Sequence, residues 1–201
     1  MKRKKKKIYN KNRILLIVEN SEYDFFNDYF NNYIKRNYKI EVICEKSGKN
    51  NTCNITNFDK ISKRVKEALE RESFKAVFVM IDLDTKCLQR DRNHKCLVEL
   101  KKEYLPKYYK HISSSLRDKF YLFVVCNEIE SWFLTAYKED GHTNNPYEDH
   151  KTEIKKLLSR KSEIQIVQKV VSDLKRGKIE LDFSKNSSLQ FFINKLQEYR
   201  S

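Results

Sequence analysis

Four short apolar runs, spaced along the chain with helix-like stretches between them, limit what this polypeptide can fold into. They are residues 13–18 (RILLIV), 39–45 (KIEVICE), 76–81 (AVFVMI) and 120–126 (FYLFVVC). Each has the length of a strand, and three are almost continuously apolar, as strands covered on both faces are. Between the first two, Phe25, Phe26, Tyr29, Phe30, Tyr33 and Ile34 fall on one helical stripe, with Ser21 placed to cap it. Ile61, Val65 and Leu69 recur at four-residue steps in 58–71, and 97–116 reads as largely helical, interrupted or kinked near Pro106. After the fourth run, 127–138 starts an amphipathic helix. Further helices follow at about 149–159, 162–175 and 187–199, with Gly177 ending the second of them. Strands alternating with helices predict an α/β fold: a mostly parallel four-stranded sheet flanked by helices, joined by right-handed crossovers, with a helical C-terminal extension.

Residues 1–12 read as a disordered basic tail, 13–140 as the α/β domain and 141–201 as helices packed on that same domain. The first 13 residues hold eight Lys or Arg and no acid, which is more than half of the net charge of +14. Such a block repels itself and can attract nucleic acid phosphates, or simply keep the chain in solution. No apolar run approaches the roughly 20 residues of a membrane span, so no membrane partner is expected. The basic start has no apolar stretch behind it, so no export signal is expected. Five cysteines without a C-x-x-C then suggest a reduced, cytoplasmic protein. Cys87, His94 and Cys96, joined by Cys44 and Cys53, are a zinc alternative with irregular spacing. Only three glycines are present, which excludes the Gly-rich cradles for dinucleotides and for the phosphates of ATP.

In parallel sheets, ligands collect beyond the carboxyl ends of the strands. Here those ends are acidic. Glu19 follows the first strand, with Glu22 close behind; Asp82 and Asp84 follow the third; Glu128 and Glu130 follow the fourth. Neighbouring strands lie about 5 Å apart, so these carboxylates converge if the strands are adjacent. Anions that close need a counter-charge, and an oxygen-only set suits Mg²⁺ or Mn²⁺. Asp82 and Asp84 point the same way if the segment stays extended, and cap a turn if it does not. Lys86, Arg90 and Arg92 lie in the loop that follows and are placed to hold phosphates. Trp132, Phe133, Tyr137 and the Phe25/Phe26 stripe read as core rather than as base-stacking platforms. The four histidines are scattered and take no catalytic role. Lys151, Lys155 and Lys156 form a basic helix start that either touches a nucleic acid strand or faces solvent.

The segments ILLIVENSEYDFF, FVMIDLD and VVCNEIESWFLTAY together resemble the Toprim domain. They are most similar to small Toprim proteins of the RloB-like and OLD-type nuclease families, which share an E-G-x-[ST]-E opening, a D-x-D and a late E-x-W-[LF]-L. Glu19-Asn20-Ser21-Glu22 stands for the opening and Glu130-Ser131-Trp132-Phe133-Leu134 for the late segment. The likeness covers about 13–138, and 186–196 (NSSLQFFINKL) also resembles a terminal helix of these families. It implies a Toprim-like fold and a metal-dependent nuclease acting on DNA or RNA in defence against phage or mobile elements. Glu19, Asp82, Asp84 and Glu130 would be catalytic. Glu19, Asp82, Asp84, Glu128 and Glu130 would hold two Mg²⁺ or Mn²⁺ ions, and Lys86, Arg90 and Arg92 the nucleic acid. It also implies a separate ATPase partner, since no ATP motif is present here. Asn20 replaces the usual glycine of the opening, which leaves a second implication: a degenerate module that binds nucleic acid or the ATPase without cleaving.

Overall fold

The computed structural model describes residues 12–48, 54–72, 74–82, 97–125, 129–139, 143, 149–160 and 162–200. The expected α/β architecture is present, with all four strands parallel. They are β1 (Arg13–Val18), β2 (Glu41–Lys46), β3 (Ala76–Asp82) and β4 (Phe120–Val125), in the order β2-β1-β3-β4. Side-chain alternation splits the interior in two. Ile14, Leu16 and Val18 of β1, with Ala76, Phe78 and Met80 of β3, face one core; Leu15, Ile17, Val77, Val79 and Ile81 face the other.

The first core is covered by α1 (Asn20–Phe25) and its continuation through Phe26–Phe30 into α2 (Asn31–Tyr38). The middle segment is a π-helical turn. Phe25, Phe26, Phe30 and Ile34 are buried as the stripe predicts, while Tyr29 and Tyr33 pack at its margin. Residues spaced by four drift about 40° per step around an α-helix. The wider π turn offsets that drift and keeps six aromatic and aliphatic groups on one face. Lys39 closes α2 with left-handed backbone (φ 60°), so β2 begins at Glu41 rather than at 39.

The second core is covered by α3 (Phe58–Glu70) and α4 (Leu97–Tyr108). The regular helix gives way near Pro106, as expected: α4 carries the proline to Tyr108 and then tightens into the 3-10 turn Tyr109–His111. The buried Tyr108 hydroxyl anchors that end, donating to the Ile55 carbonyl at 2.8 Å. After β4 come the short α5 (Glu130–Leu134), then α6 (His150–Leu158), α7 (Glu163–Lys175) and α8 (Ser187–Gln197). Residues from all four pack into the first core. Gly177, at φ 64°, follows the end of α7 as expected. Among the described residues no helix is long and apolar enough to cross a membrane. The tail to residue 11 lies outside the described residues.

Phe192 on α8 joins these layers. Its ring lies 5.2 Å from Phe123 and 6.0 Å from Phe78 on the sheet, 5.9 Å from Phe26 and 5.6 Å from Trp132. Phe192→Ala should cost about 3–5 kcal/mol, read as a lower urea midpoint with an unchanged slope.

Candidate functional site

The strand order decides where a ligand can enter. From β1 the chain moves to β2 with its helices on the first face; from β3 it moves the other way to β4 with α4 on the second face. The direction of winding reverses between β1 and β3. In doubly wound sheets such a reversal, at the carboxyl ends of the two strands, is where ligand sites form. Glu19 and Asp82 sit at those two ends.

Glu19 occupies the N-cap position of α1 without capping it through its side chain, and Ser21 lies inside the first turn instead of at the cap. One turn along, Glu22 is 2% exposed. Asp82 is the last residue of β3, three positions beyond the Ile17↔Val79 pair, and is 7% exposed. Alternation turns it towards the face that carries Phe78 and Met80, the face on which α1 and α5 pack. Glu130 opens α5 and is 4% exposed. The fold therefore brings Glu19, Glu22, Asp82 and Glu130 to one end of the sheet. Asp84, Glu128, Lys86, Arg90 and Arg92 lie outside the described residues, as do Cys53, Cys87, Cys96 and His94 of the zinc alternative. Cys44 is a half-buried free thiol whose pKa burial pushes up to about 12.

The electrostatics record how closely the acids are grouped. Burial pushes the Asp82 carboxyl well above its ordinary range, and the charge of Glu22, a hydrogen bond with Glu22, and the charges of Glu19 and Glu130 push it further. Two ionised carboxylates are both acceptors, so the Glu22–Asp82 hydrogen bond requires a proton, the one the raised Asp82 carboxyl retains. Burial, then the charge of Glu22, raises Glu19 from 4.5 to about 7. Glu19 Oε1 and Asp82 Oδ1 are buried without a hydrogen-bond partner among the described residues. Buried polar oxygens left this way are costly, and a cation or a proton is what relieves them. As the side chains stand, no group of three or more His, Cys, Asp or Glu among the described residues is disposed to hold a metal ion. The chemistry of the donors fits a hard divalent cation. A shared coordination sphere would require their side chains to turn together and the Asp82 proton to leave.

Sequence reasoning missed two cations at the end of β2. Lys46 ends β2 directly opposite Val18, the residue before Glu19. It is exposed, and its ammonium lies 4.7 Å over the ring of Tyr23. Lys60 on α3 donates to the carbonyl of Ser47 at 3.3 Å, just beyond the same strand end. The signal was available: the rule that singles out residues after β1, β3 and β4 also singles out those after β2. Trp132, Phe133, Phe25 and Phe26 are core, as expected. Of the histidines, His111 pairs with Asp59 at 2.7 Å and His150 is buried at the start of α6. Lys151 pairs with Glu163.

An all-parallel α/β protein with buried acids grouped at its winding reversal is the class these features define. The chain belongs to the family described as Domain of unknown function (DUF4276), whose model matches residues 19–172, starting at Glu19 and spanning all four acids. No curated protein and no solved structure matches the chain.

The raised carboxyl groups set a pH dependence. Below about pH 4.5 Glu19 is protonated folded and unfolded alike; between 4.5 and about 7 folding takes up a proton, so stability falls as pH rises. In chelator-treated protein, the wild type should therefore lose stability relative to Glu19→Gln across that interval and level off above it. Denaturation midpoints from pH 4 to 9 measure this; a difference independent of pH would contradict the burial assigned to Glu19.

Proposed function

We propose that this chain is a cytoplasmic, Mg²⁺- or Mn²⁺-dependent phosphodiester hydrolase of the Toprim type, related to the RloB-like and OLD-type nucleases, that acts on DNA or RNA. The observation that carries the reading is the coupled set Glu19, Glu22, Asp82 and Glu130 at the reversal between β1 and β3. Glu19, Asp82 and Glu130 would hold the ions, with Asp84 and Glu128 completing the set and Glu22 beside Asp82. Bound ions would supply a nucleophilic water at neutral pH and offset charge on the departing oxygen. Glu19 would act either as an ion ligand or, left uncoordinated with its carboxyl raised to about 7, as the acceptor of a proton from that water. Lys46 and Lys60, with Lys86, Arg90 and Arg92, would hold the phosphates on either side of the cut. Restriction of phage or mobile DNA, with a separate ATPase supplying energy, is the setting the family resemblance suggests.

A second reading is a module that binds nucleic acid or the ATPase without cleaving. Asn20 in the place of glycine favours it, as does the finding that no three of the described His, Cys, Asp or Glu side chains are disposed to hold a metal ion.

Purified full-length chain incubated with labelled single- and double-stranded DNA and RNA separates the two. The hydrolase reading expects cleavage with Mn²⁺ or Mg²⁺, none with EDTA, and none with Asp82→Asn. Binding without cleavage in any metal would select the second reading. In filter binding, Lys46→Ala and Lys60→Ala should each weaken binding across sequences and lower the salt slope by about one. Unchanged slopes would remove both lysines from the interface.

A further inference from the structure

Glu130 stands on a helix of five residues, α5, which is too short to hold its own direction. What fixes it comes from the far end of the chain. Ser131, the next residue, is fully buried, and its Oγ accepts from Asn186 Nδ2 at 3.2 Å. Asn186 is also fully buried, and the same amide nitrogen donates to the Thr143 carbonyl at 3.1 Å and to Thr143 Oγ1 at 2.9 Å. Its Oδ1 accepts from the Leu189 N–H at 3.0 Å, capping α8, and from Ser188 Oγ at 2.7 Å. Because a backbone N–H can only donate, the bond to Leu189 fixes the amide's orientation, so the nitrogen faces Ser131. Trp132 Nε1 donates to Ser188 Oγ at 2.8 Å, and its ring packs on Phe192. Lys185 Nζ donates to the Lys138 carbonyl at 2.6 Å and closes the far side.

We propose that Asn186, acting through Ser131, is a positioning residue for Glu130, so that the start of α8 is part of the acidic site although it lies beyond the matched residues 19–172. The inference rests on the reading of Glu130 as a metal-holding carboxylate. A helix cap alone requires only the Asn186 oxygen. The buried nitrogen, spent on Ser131 and Thr143, is the excess that a cap does not explain. Such a network is costly unless every member is satisfied, and once satisfied it allows one arrangement. Outer groups that aim metal-holding side chains typically matter by about 10- to 100-fold in metal affinity.

The test uses full-length protein and Mn²⁺ alone, with affinity read by calorimetry and stability by urea denaturation. Ser131→Ala leaves the cap intact and removes only the link to Glu130's helix; Asn186→Ala removes both. Ile61→Ala, in the opposite core, supplies a destabilised comparison. The expected result is Mn²⁺ binding by wild type and by Ile61→Ala, weakened about 10-fold or more in Ser131→Ala and in Asn186→Ala. If Ser131→Ala binds as wild type does, the brace is overturned and the metal reading stands. Should wild type bind no Mn²⁺, the metal reading falls and takes the brace with it. Hydrogen exchange in metal-free protein adds a second check that does not depend on folding yield. Residues 129–137 should exchange faster in Ser131→Ala while the four strands stay protected. Unchanged exchange there would show that α5 holds its place without Asn186.

Discussion

Carboxylates kept from water at the meeting point of β1 and β3 are the constraint around which the rest of this molecule is arranged. Burial and the neighbouring Glu22 push Asp82 well above the ordinary carboxyl range, and Glu19 is lifted to about 7. A fold built for stability alone would place Asn, Ser or Thr there. The cost is carried by the two cores, which enclose β1 and β3 so completely that all seven residues of β3 are buried. The rigidity that this packing confers is also what keeps the acids close, because neither strand can shift without opening both cores.

The first core has a second role. Phe25, Phe26, Phe30, Trp132 and Phe192 form a continuous aromatic body, with ring centroids 5.0–6.4 Å apart along Phe25–Phe30, Phe26–Trp132, Phe30–Trp132 and Phe25–Phe133. It joins α1, which carries Glu22, to α5, which carries Glu130. Two acids that arrive more than a hundred residues apart in sequence are thus mounted on one packed block, and Asp82 meets that block from the sheet. The opposite core holds a different set of ties: Arg64 bridges Glu45 at 2.6 Å and Glu72 at 3.0 Å, pinning α3 to the end of β2.

Sequence pattern made the strands legible because burial on both faces leaves an unbroken apolar run, as in β1 and β3. It made Glu19, Asp82 and Glu130 legible because strand ends point to ligand sites whatever the strand order. Strand order itself, β2-β1-β3-β4, was not readable, since nothing local in a crossover says which edge it will join. Glu22 was underestimated for a related reason: an acid in the first turn of a helix is common, and only the packing of α1 against β3 turns it towards Asp82. The partnership of Ser131 with Asn186 spans 55 residues and leaves no periodic trace. Pro106 was a legible signal, since a proline disturbs the regular hydrogen bonding of a helix and α4 tightens into a 3-10 turn just beyond it.

Charge distribution supports one further step on the proposed reading. The chain carries +14 overall, more than half of it in the first 13 residues, yet four acids gather at the reversal. A polyanion is drawn to the chain at long range and opposed at the acids at short range, where low dielectric makes each charge count for more. Divalent cations reverse only the short-range part. On the proposed reading nucleic acid would then dock productively only on the metal-loaded form, with Lys46 at the end of β2 holding the backbone. The pairing of a basic chain with a group of buried acids is consistent with that order of events, whereas a simple binding module gains nothing from burying four carboxyl groups where its ligand must lie.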